Sequence, residues 1–385
     1  MTRLLDITRL LRRAGRTMTG IDRVEFAYLT ELTKRDGEMF AFARTRLGYV
    51  LLDKQGAQAM ASAFKTGSFD PLDALGRAAP HRDMRIRRAE ATARRHAIAR
   101  CLPQRLRRML TRHLPDGVRY INVGHSNFTD RVLSALVHCK AKVSVLVHDV
   151  IPLEAPQWQR SGAAEAFKRF LRRVDAHADL IIYNSADTRD RSERFLSKTH
   201  DCVVAHLGVT LTEPEPLPPQ FRIDAPYFVC LSTIEPRKNH GFLLDLWAEM
   251  GPNAPLLAIA GTRGWNNEEV FRKLDAKPDQ VKEIAGLSDG SMTTLLEGSQ
   301  ALLFPSHLEG FGLPPVEAAA LGVPVLANDL PVLKEVLGDI PIYETVSEPY
   351  RWRQKIEELA EQRYKPKAFV PPSWAEHFNI VLMLT

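Results

Sequence analysis

Two carboxylates set across a glycine loop are the first place to look for chemistry. In Pro305-Ser-His-Leu-Glu-Gly-Phe-Gly-Leu-Pro-Pro-Val-Glu-Ala-Ala-Ala-Leu-Gly-Val-Pro324, Glu309 and Glu317 stand on either side of Gly310 and Gly312. Ala301–Phe304 reads as a short buried strand, so Glu309 should hang beyond a strand end. Pro314-Pro315 presets φ for a first helical turn and Gly322 suits the position just past a helix end, which puts Glu317 in the first turn of a helix. The glycines let the backbone approach a ligand closely, and the unpaired N–H groups of a helix start bind anions. The free amides at this helix start are therefore suited to an anionic group. Either carboxylate can accept two hydroxyl hydrogen bonds, which suits a ribose diol. On a purely structural account Glu317 complements the helix dipole, worth about 0.3–1 kcal/mol, and Glu309 is a solvated loop residue. The Gly-Phe-Gly-Leu-Pro-Pro setting favours a ligand.

Ser232-Thr-Ile-Glu-Pro-Arg-Lys-Asn239 joins a strand to a helix, the place where open α/β sheets bind phosphate. Arg237 and Lys238 just before a helix oppose its dipole, so structure alone does not recommend them. A bound diphosphate would, through charge-assisted hydrogen bonds roughly twice as strong as neutral ones. The bland alternative is a solvent-exposed basic turn. Gly261-Thr-Arg-Gly-Trp265 and Gly286-Leu-Ser-Asp289 follow strands that end at the same sheet edge, although glycine after a strand is a common turn. In the N-terminal half, Val143-Ser-Val-Leu-Val-His148-Asp149 is a buried strand ending in a polar pair, and His125 follows another strand. A lone histidine in such a place is more often a hydrogen-bonded core residue. Thr19-Gly20-Ile21 is expected as a glycine turn between the first strand and the first helix.

These residues need strands to carry them. Strand-like runs at Leu4–Thr8, Met39–Ala43, Tyr120–Val123, Val143–His148, Leu180–Asn184 and Val203–His206 alternate with helical patterns. Four prolines between 214 and 219 then break the chain, since proline continues neither a helix nor a central strand. After them come Tyr227–Ser232, Leu256–Ala260, Val281–Ala285, Ala301–Phe304, Val323–Ala327 and Ile340–Tyr343, again separated by helical stretches. Strands interleaved with helices imply βαβ units and parallel sheets, with ligands at the C-terminal strand ends. A chain of 385 residues also exceeds one ordinary core and fits two domains. We divide it into residues 1–213, a Pro-rich linker 214–226, residues 227–372, and a last helix over 373–385.

The two-glutamate segment and the Arg-Lys turn together resemble the nucleotide-sugar site of family-four (group 1) glycosyltransferases with the GT-B fold, whose signature is glutamate, seven residues, glutamate. The resemblance covers the C-terminal half closely and the N-terminal half loosely. It implies an α/β architecture of two doubly wound Rossmann-like domains facing a central cleft, with the last helix crossing back onto the first domain. It implies that Glu317 binds the ribose, that Glu309 and His148 contact the donor sugar, and that the amides of 310–313 contact sugar and diphosphate. Lys238 and Arg237 would stabilise the departing diphosphate. Gly286, Leu287 and the Gly261 loop would wall the base, and Gly20 would lie close to the diphosphate. In the commoner family spacing an arginine precedes the lysine by several residues. Thr233 or its neighbour stands there in this chain, and Arg237 is expected to supply the charge.

The reaction so implied is retaining transfer of a hexose, mannose or similar, from a nucleoside-diphosphate sugar to a glycan or lipid-linked acceptor in polysaccharide biosynthesis. The Thr-Ile-Glu-Pro-Arg-Lys-Asn form resembles mannosyl- and other hexosyltransferases of bacterial surface polysaccharides. No Asp-x-Asp pair of the metal-dependent type is seen, so no cofactor is expected beyond the donor. Two alternatives remain: a GT-B relative with epimerase or phosphorylase-like chemistry, and a non-catalytic adaptor for anionic surfaces.

Charge is uneven along the chain. Residues 1–220 hold 37 Lys/Arg against 24 Asp/Glu, and the remainder 15 against 22, so the first half is basic and the second acidic. Within it, the segment 81–113 reads as one or two basic amphipathic helices broken near Pro103; residues 82–112 carry 11 arginines and two acids. It is either a solvated insertion or a dock for an anionic membrane; no recognition motif or aromatic stacking array supports nucleic acid. Scattered Cys101, Cys139, Cys202 and Cys230 suggest reduced thiols, and the N-terminus lacks the long apolar core of a signal peptide. The expected location is cytoplasmic, peripheral on the inner membrane face.

Overall fold

The computed structural model describes residues 1–361 and 366–385. Eight strands form the first sheet: β1 (Arg3–Asp6), β2 (Met39–Arg44), β3 (Tyr49–Leu52), β4 (Ala99–Cys101), β5 (Arg119–Asn122), β6 (Lys142–Val147), β7 (Leu180–Tyr183) and β8 (Cys202–Val204), in the order β4-β3-β2-β1-β5-β6-β7-β8. Six form the second: β9 (Tyr227–Leu231), β10 (Leu256–Ala260), β11 (Val281–Ile284), β12 (Leu302–Phe304), β13 (Val325–Ala327) and β14 (Ile342–Tyr343), in the order β11-β10-β9-β12-β13-β14. The second sheet is parallel throughout and doubly wound, with its order reversing between β9 and β12. Its inner strands are apolar runs such as Leu256-Leu-Ala-Ile-Ala260, as burial on both faces demands, whereas edge strand β11 reads Val-Lys-Glu-Ile and is only partly buried.

The first sheet departs from the all-parallel expectation at one edge. Strand β3 runs antiparallel to β2, and β4 antiparallel to β3. Only four residues separate β2 from β3, with the Thr45 amide on the Gly48 carbonyl at 2.8 Å, and a crossover to a parallel strand needs a dozen or more. The arginine-rich segment is correspondingly not two helices alone. Helix Met84–Arg95 is followed by β4, a 3₁₀ turn at Pro103–Arg105 and helix Leu106–His113. Several arginines of its first helix are spent inside the domain. Arg94 pairs with Asp73 and Glu90, Arg82 with Glu90, and Arg87 donates to the Gly76 carbonyl.

Glycine 20 does not make a turn. It opens helix Gly20–Lys34, with Thr19 and Asp22 forming a capping box, and a short helix Thr8–Arg13 intervenes after β1. The proline-rich stretch lacks helix or strand from 205 to 218 and is tied down by Thr294, whose hydroxyl donates to the Glu215 carbonyl at 2.6 Å.

Helix Trp374–Leu384 lies against helix Gly20–Lys34. Phe378 meets the Tyr28 ring edge-on at 4.9 Å, and the Tyr28 hydroxyl bonds His377 Nε2 at 2.8 Å. Arg3 caps the far end by donating to the carbonyls of Leu382 and Thr385. Phe378 and Val381 are thereby buried, whereas Met383 is 78% exposed. Phe378→Ala should lower stability by about 3–5 kcal/mol, and Met383→Ala should stay within about 0.5 kcal/mol of the parent, read from urea denaturation midpoints. Equal effects of the two substitutions would contradict this docking.

Candidate active site

The reversal of strand order in the second sheet opens a crevice between the C-terminal ends of β9 and β12, and both charged loops emerge there. After β9 the chain makes a 3₁₀ turn over Pro236–Lys238, and Asn239 takes a left-handed conformation (φ 57°) before helix His240–Met250. After β12 the loop 305–312 leads into helix Leu313–Ala320, whose N-cap Gly312 has φ 89°. Gly322, just past the helix, is also left-handed at φ 70°. Glu317 is the fifth helical residue, so it lies in the second turn, not the first.

The two loops meet through charge. Lys238 Nζ donates to Glu309 Oε1 at 2.5 Å, and Arg237 Nη1 donates to Glu309 Oε2 at 2.9 Å. Arg237 Nε also pairs with Glu235 at 2.8 Å, and the His307 amide bonds the Arg237 carbonyl. Glu309 and Lys238 are both buried. Burial alone would raise the Glu309 carboxyl; Arg237 and Lys238 override it and hold it down at about 2. Burial pulls the Lys238 ammonium down while Glu309 pulls it back up. A paired, ionised cluster in a crevice marks a functional site more often than a structural one.

Four backbone donors beside this cluster are unspent. The amides of Gly310, Phe311, Gly312 and Leu313 find no acceptor among the described residues. Such groups at a helix start are suited to an anion.

The first domain closes over the crevice. A Cβ on Gly310 would lie 2.1 Å from the His148 carbonyl oxygen, so only glycine permits this approach. The hydroxyls of Ser185 and Thr188 donate to the Gly310 carbonyl at 3.1 and 3.0 Å, and Arg191 Nη1 donates to the Glu309 carbonyl at 2.8 Å. His148, at the end of β6, is buried and points Nε2 at the Val123 carbonyl, 2.7 Å away. A carbonyl only accepts, so Nε2 carries the proton and Nδ1 is left as an acceptor. Burial pushes this imidazole down to about 4, so it is neutral at physiological pH. Asp149, next to it, is raised by burial against the pull of Arg237. His125 instead bonds the Leu146 carbonyl from a left-handed backbone and packs its ring 5.0 Å from that of His148.

The structure therefore brings Glu309, Lys238 and Arg237 to one place with the 310–313 amides, and His148 reaches that loop through its backbone carbonyl against Gly310. Gly20 joins them from the first domain, since a Cβ there would sit 3.2 Å from Leu313 Cδ1. Glu317 lies farther along the same helix, paired with Arg23. Gly261 abuts the β9 loop so closely that a Cβ would overlap the Ser232 carbonyl at 1.9 Å. Gly286 (φ 78°) and buried Leu287 precede helix Asp289–Glu297, whose Asp289 also pairs with Arg23. Thr233 is half-buried and its side chain makes no hydrogen bond among the described residues, while Arg237 supplies the charge that touches Glu309. Sequence reasoning missed Arg23, Arg191, Ser185 and Thr188. For the last two a signal existed: Asn184-Ser185 follows a strand, and Ser185 caps the next helix through the Thr188 amide.

Residues 216–371 match the family model described as glycosyl transferases group 1. The serotype-specific mannosyltransferase WbdA of Escherichia coli is 32% identical over 251 residues, covering 58% of this chain and 31% of the relative. The O-antigen chain mannosyltransferase RfbU of Salmonella typhimurium is 25% identical over 228 residues, covering 56% of this chain and 60% of that protein. The chain thus spans about a third of the length of the WbdA relative. Among solved structures, Anabaena Alr3699/HepE in complex with UDP-glucose superposes with a TM-score of 0.63 at 15% identity, over 99% of this chain and 94% of that one. Sucrose-phosphate synthase from Thermosynechococcus elongatus gives 0.60 at 14%, over 94% and 90%. At those identities the likeness speaks to fold alone. The chain has the GT-B fold, and its residues 216–371 are similar to the glycosyl transferases group 1.

Proposed function

We propose that this protein is a retaining hexosyltransferase of family four that moves mannose or a similar hexose from a nucleoside-diphosphate sugar to a glycan or lipid-linked acceptor in polysaccharide biosynthesis. The observation that carries the reading is the Lys238–Glu309–Arg237 cluster beside four unspent amides, at the crevice where the sheet order reverses. The mannosyltransferase names of WbdA and RfbU support the hexose and the pathway class. In this reading residues 227–372 hold the donor and residues 1–213 the acceptor, with a linker between.

Departure of the nucleotide places negative charge on the diphosphate. Lys238, Arg237 and the 310–313 amides are fixed where that charge develops, and preorganised donors of this kind need no reorganisation in the transition state. Glu309 stays ionised and orients both cations while accepting from a sugar hydroxyl. His148 Nδ1 is an acceptor for another hydroxyl, and Glu317 takes the ribose diol. Gly286, Leu287, Gly261 and Thr233 wall the base, and Gly20 lets the first domain approach the diphosphate. Among the described residues no group of three or more His, Cys, Asp or Glu could hold a metal ion. The cations of the chain itself perform the charge stabilisation.

The membrane face is narrower than the whole arginine segment. The β2–β3 turn presses Gly48 against Cys101 and Leu102, and Leu47 and Leu102 are 46% and 60% exposed. Around them Arg46, Arg100, Arg105 and Arg108 are exposed, and their side chains make no hydrogen bond or ion pair among the described residues. Apolar tips ringed by cations suit a peripheral hold on anionic lipid at the inner face. No described helix is long and apolar enough to cross a membrane.

Lys238→Ala should lower kcat by about 10²–10³-fold and weaken nucleoside-diphosphate binding. A panel of GDP-, UDP- and ADP-sugars, read by thermal shift and then by transfer to acceptor, names the donor; wild-type turnover in the variant would refute the clamp. Transfer should persist in excess EDTA, and its abolition there with recovery on adding a divalent ion would refute the metal-free reading. Replacing Leu47 and Leu102 together by Asp should cut sedimentation with anionic vesicles by about tenfold or more, since each leucine contributes about 1.5–3 kcal/mol when buried. Unchanged sedimentation would remove this face.

A further inference from the structure

Glu317 does not stand alone in the crevice. Arg23, in the first turn of helix Gly20–Lys34 in the first domain, reaches across with Nη1 2.7 Å from Glu317 Oε1. Its Nη2 lies 3.1 Å from Asp289 Oδ1. One guanidinium thus straps two carboxylates that belong to two different helices of the second domain. The Glu317 side chain is 17% exposed and that of Arg23 31%, so the pair is shielded without being sealed. Glu317 Oε2 makes no hydrogen bond to a described residue.

We propose that Arg23 is a positioning residue for the donor: it holds Glu317 ionised, with Oε2 turned to the ribose hydroxyls, so that the ribose site is complete only when the two domains meet. This rests on reading the crevice as a nucleotide-sugar site. The argument is one of charge and geometry. Burial pushes the Glu317 carboxyl up, Arg23 pulls it back, and Asp289 pushes it up again. The other charged groups on elements packed against this helix are engaged elsewhere, Lys334 with Asp329 and Glu335 with His206. The neighbouring segments of β12 and β13 are Leu-Leu-Phe and Val-Leu-Ala. Arg23 is therefore the cation that stabilises the charged form. Without it, Glu317 faces Asp289 in a shielded site and takes up a proton. A protonated carboxyl accepts from a diol less well, because hydrogen bonds to a charged group are the stronger ones.

The sign of the pH effect follows. In Arg23→Ala the Glu317 pKa rises further, the ionised form is lost as pH falls, and nucleotide binding weakens toward acid. The test titrates the full chain with GDP and UDP, and with their 2′,3′-dideoxy forms, by calorimetry between pH 5.5 and 8.5. In the wild type the better diphosphate should lose less affinity toward acid than in the charge-removed variant, and its dideoxy form should bind more weakly. Arg23→Ala should weaken the ribose form about tenfold or more at pH 5.5, where it no longer discriminates against the dideoxy form, with affinity and discrimination recovering toward pH 8.5. Arg23→Lys should restore the wild-type discrimination and pH profile. Arg23→Gln provides the same loss of charge if the alanine variant does not fold.

Unchanged affinity in the charge-removed variant overturns the proposal. So does an equal loss for ribose and dideoxy probes, or tighter binding, which would make Arg23 an occupant of the ribose place. If the folded wild type binds neither diphosphate nor any donor sugar, the nucleotide-sugar reading falls and takes this inference with it. Binding in the wild type with no effect of Arg23 removes only the inference.

Discussion

A buried carboxylate held between two cations organises this molecule. Glu309 lies where burial would neutralise it, and it stays ionised because Lys238 and Arg237 each take one of its oxygens. The arrangement is conditional on both loops. Moving either by an ångström or two would leave a buried charge unpaired, and breaking a buried pair costs about 3–5 kcal/mol. The 3₁₀ turn that aims Lys238, the left-handed Asn239 and the glycine at 310 can each be read as serving that contact. The helix start after Gly312 then inherits a fixed position, and with it the four amides of 310–313 that find no acceptor among the described residues.

The same cluster explains how the first domain is recruited. Its wall contributes no cation to Glu309 side-chain oxygens; it contributes donors to the backbone of that loop. Ser185, Thr188 and Arg191 all lie in or at the cap of one helix, and they satisfy the carbonyls of Glu309 and Gly310. Glu335 returns the favour by accepting from the amides of Ala186 and Asp187, the exposed donors of that helix start. His148 is then held over the loop by Val123 and Asn184, with its ring neutral. On the opposite rim Trp158 stacks on His307 at 5.0 Å, and the Trp265 indole donates to the Trp158 carbonyl.

What was legible in the sequence had local causes. The second sheet could be read strand by strand because its runs are apolar, short and separated by helices, and because the Gly-Phe-Gly-Leu-Pro-Pro loop has few other uses. The first domain was harder for equally physical reasons. Strand β3 is a four-residue apolar run after a four-residue turn, indistinguishable by period from the end of its neighbour, and β4 hides inside a run of arginines. Arginine content likewise misleads about surface charge. Arg87 and Arg94 are buried and bonded within the domain, so the segment that looks most like a lipid dock is in part a scaffold. Arg23 was invisible because nothing near it in sequence shows that Glu317, almost three hundred residues away, would need a partner.

Both polar and apolar contacts join the domains. Single hydrogen bonds to backbone, buried at Gly310 and nearer the surface at Trp158 and Gln159, each contribute only about 0.5–1.5 kcal/mol net. One apolar cluster runs on between them, from Leu5, Ile7 and Leu207 of the first domain to Phe311, Leu330 and Leu333 of the second. The Lys238–Glu309–Arg237 cluster, in contrast, lies wholly within the second domain. Charge at the crevice is thus fixed on one domain, and the other adds donors to the backbone of the loop that carries Glu309.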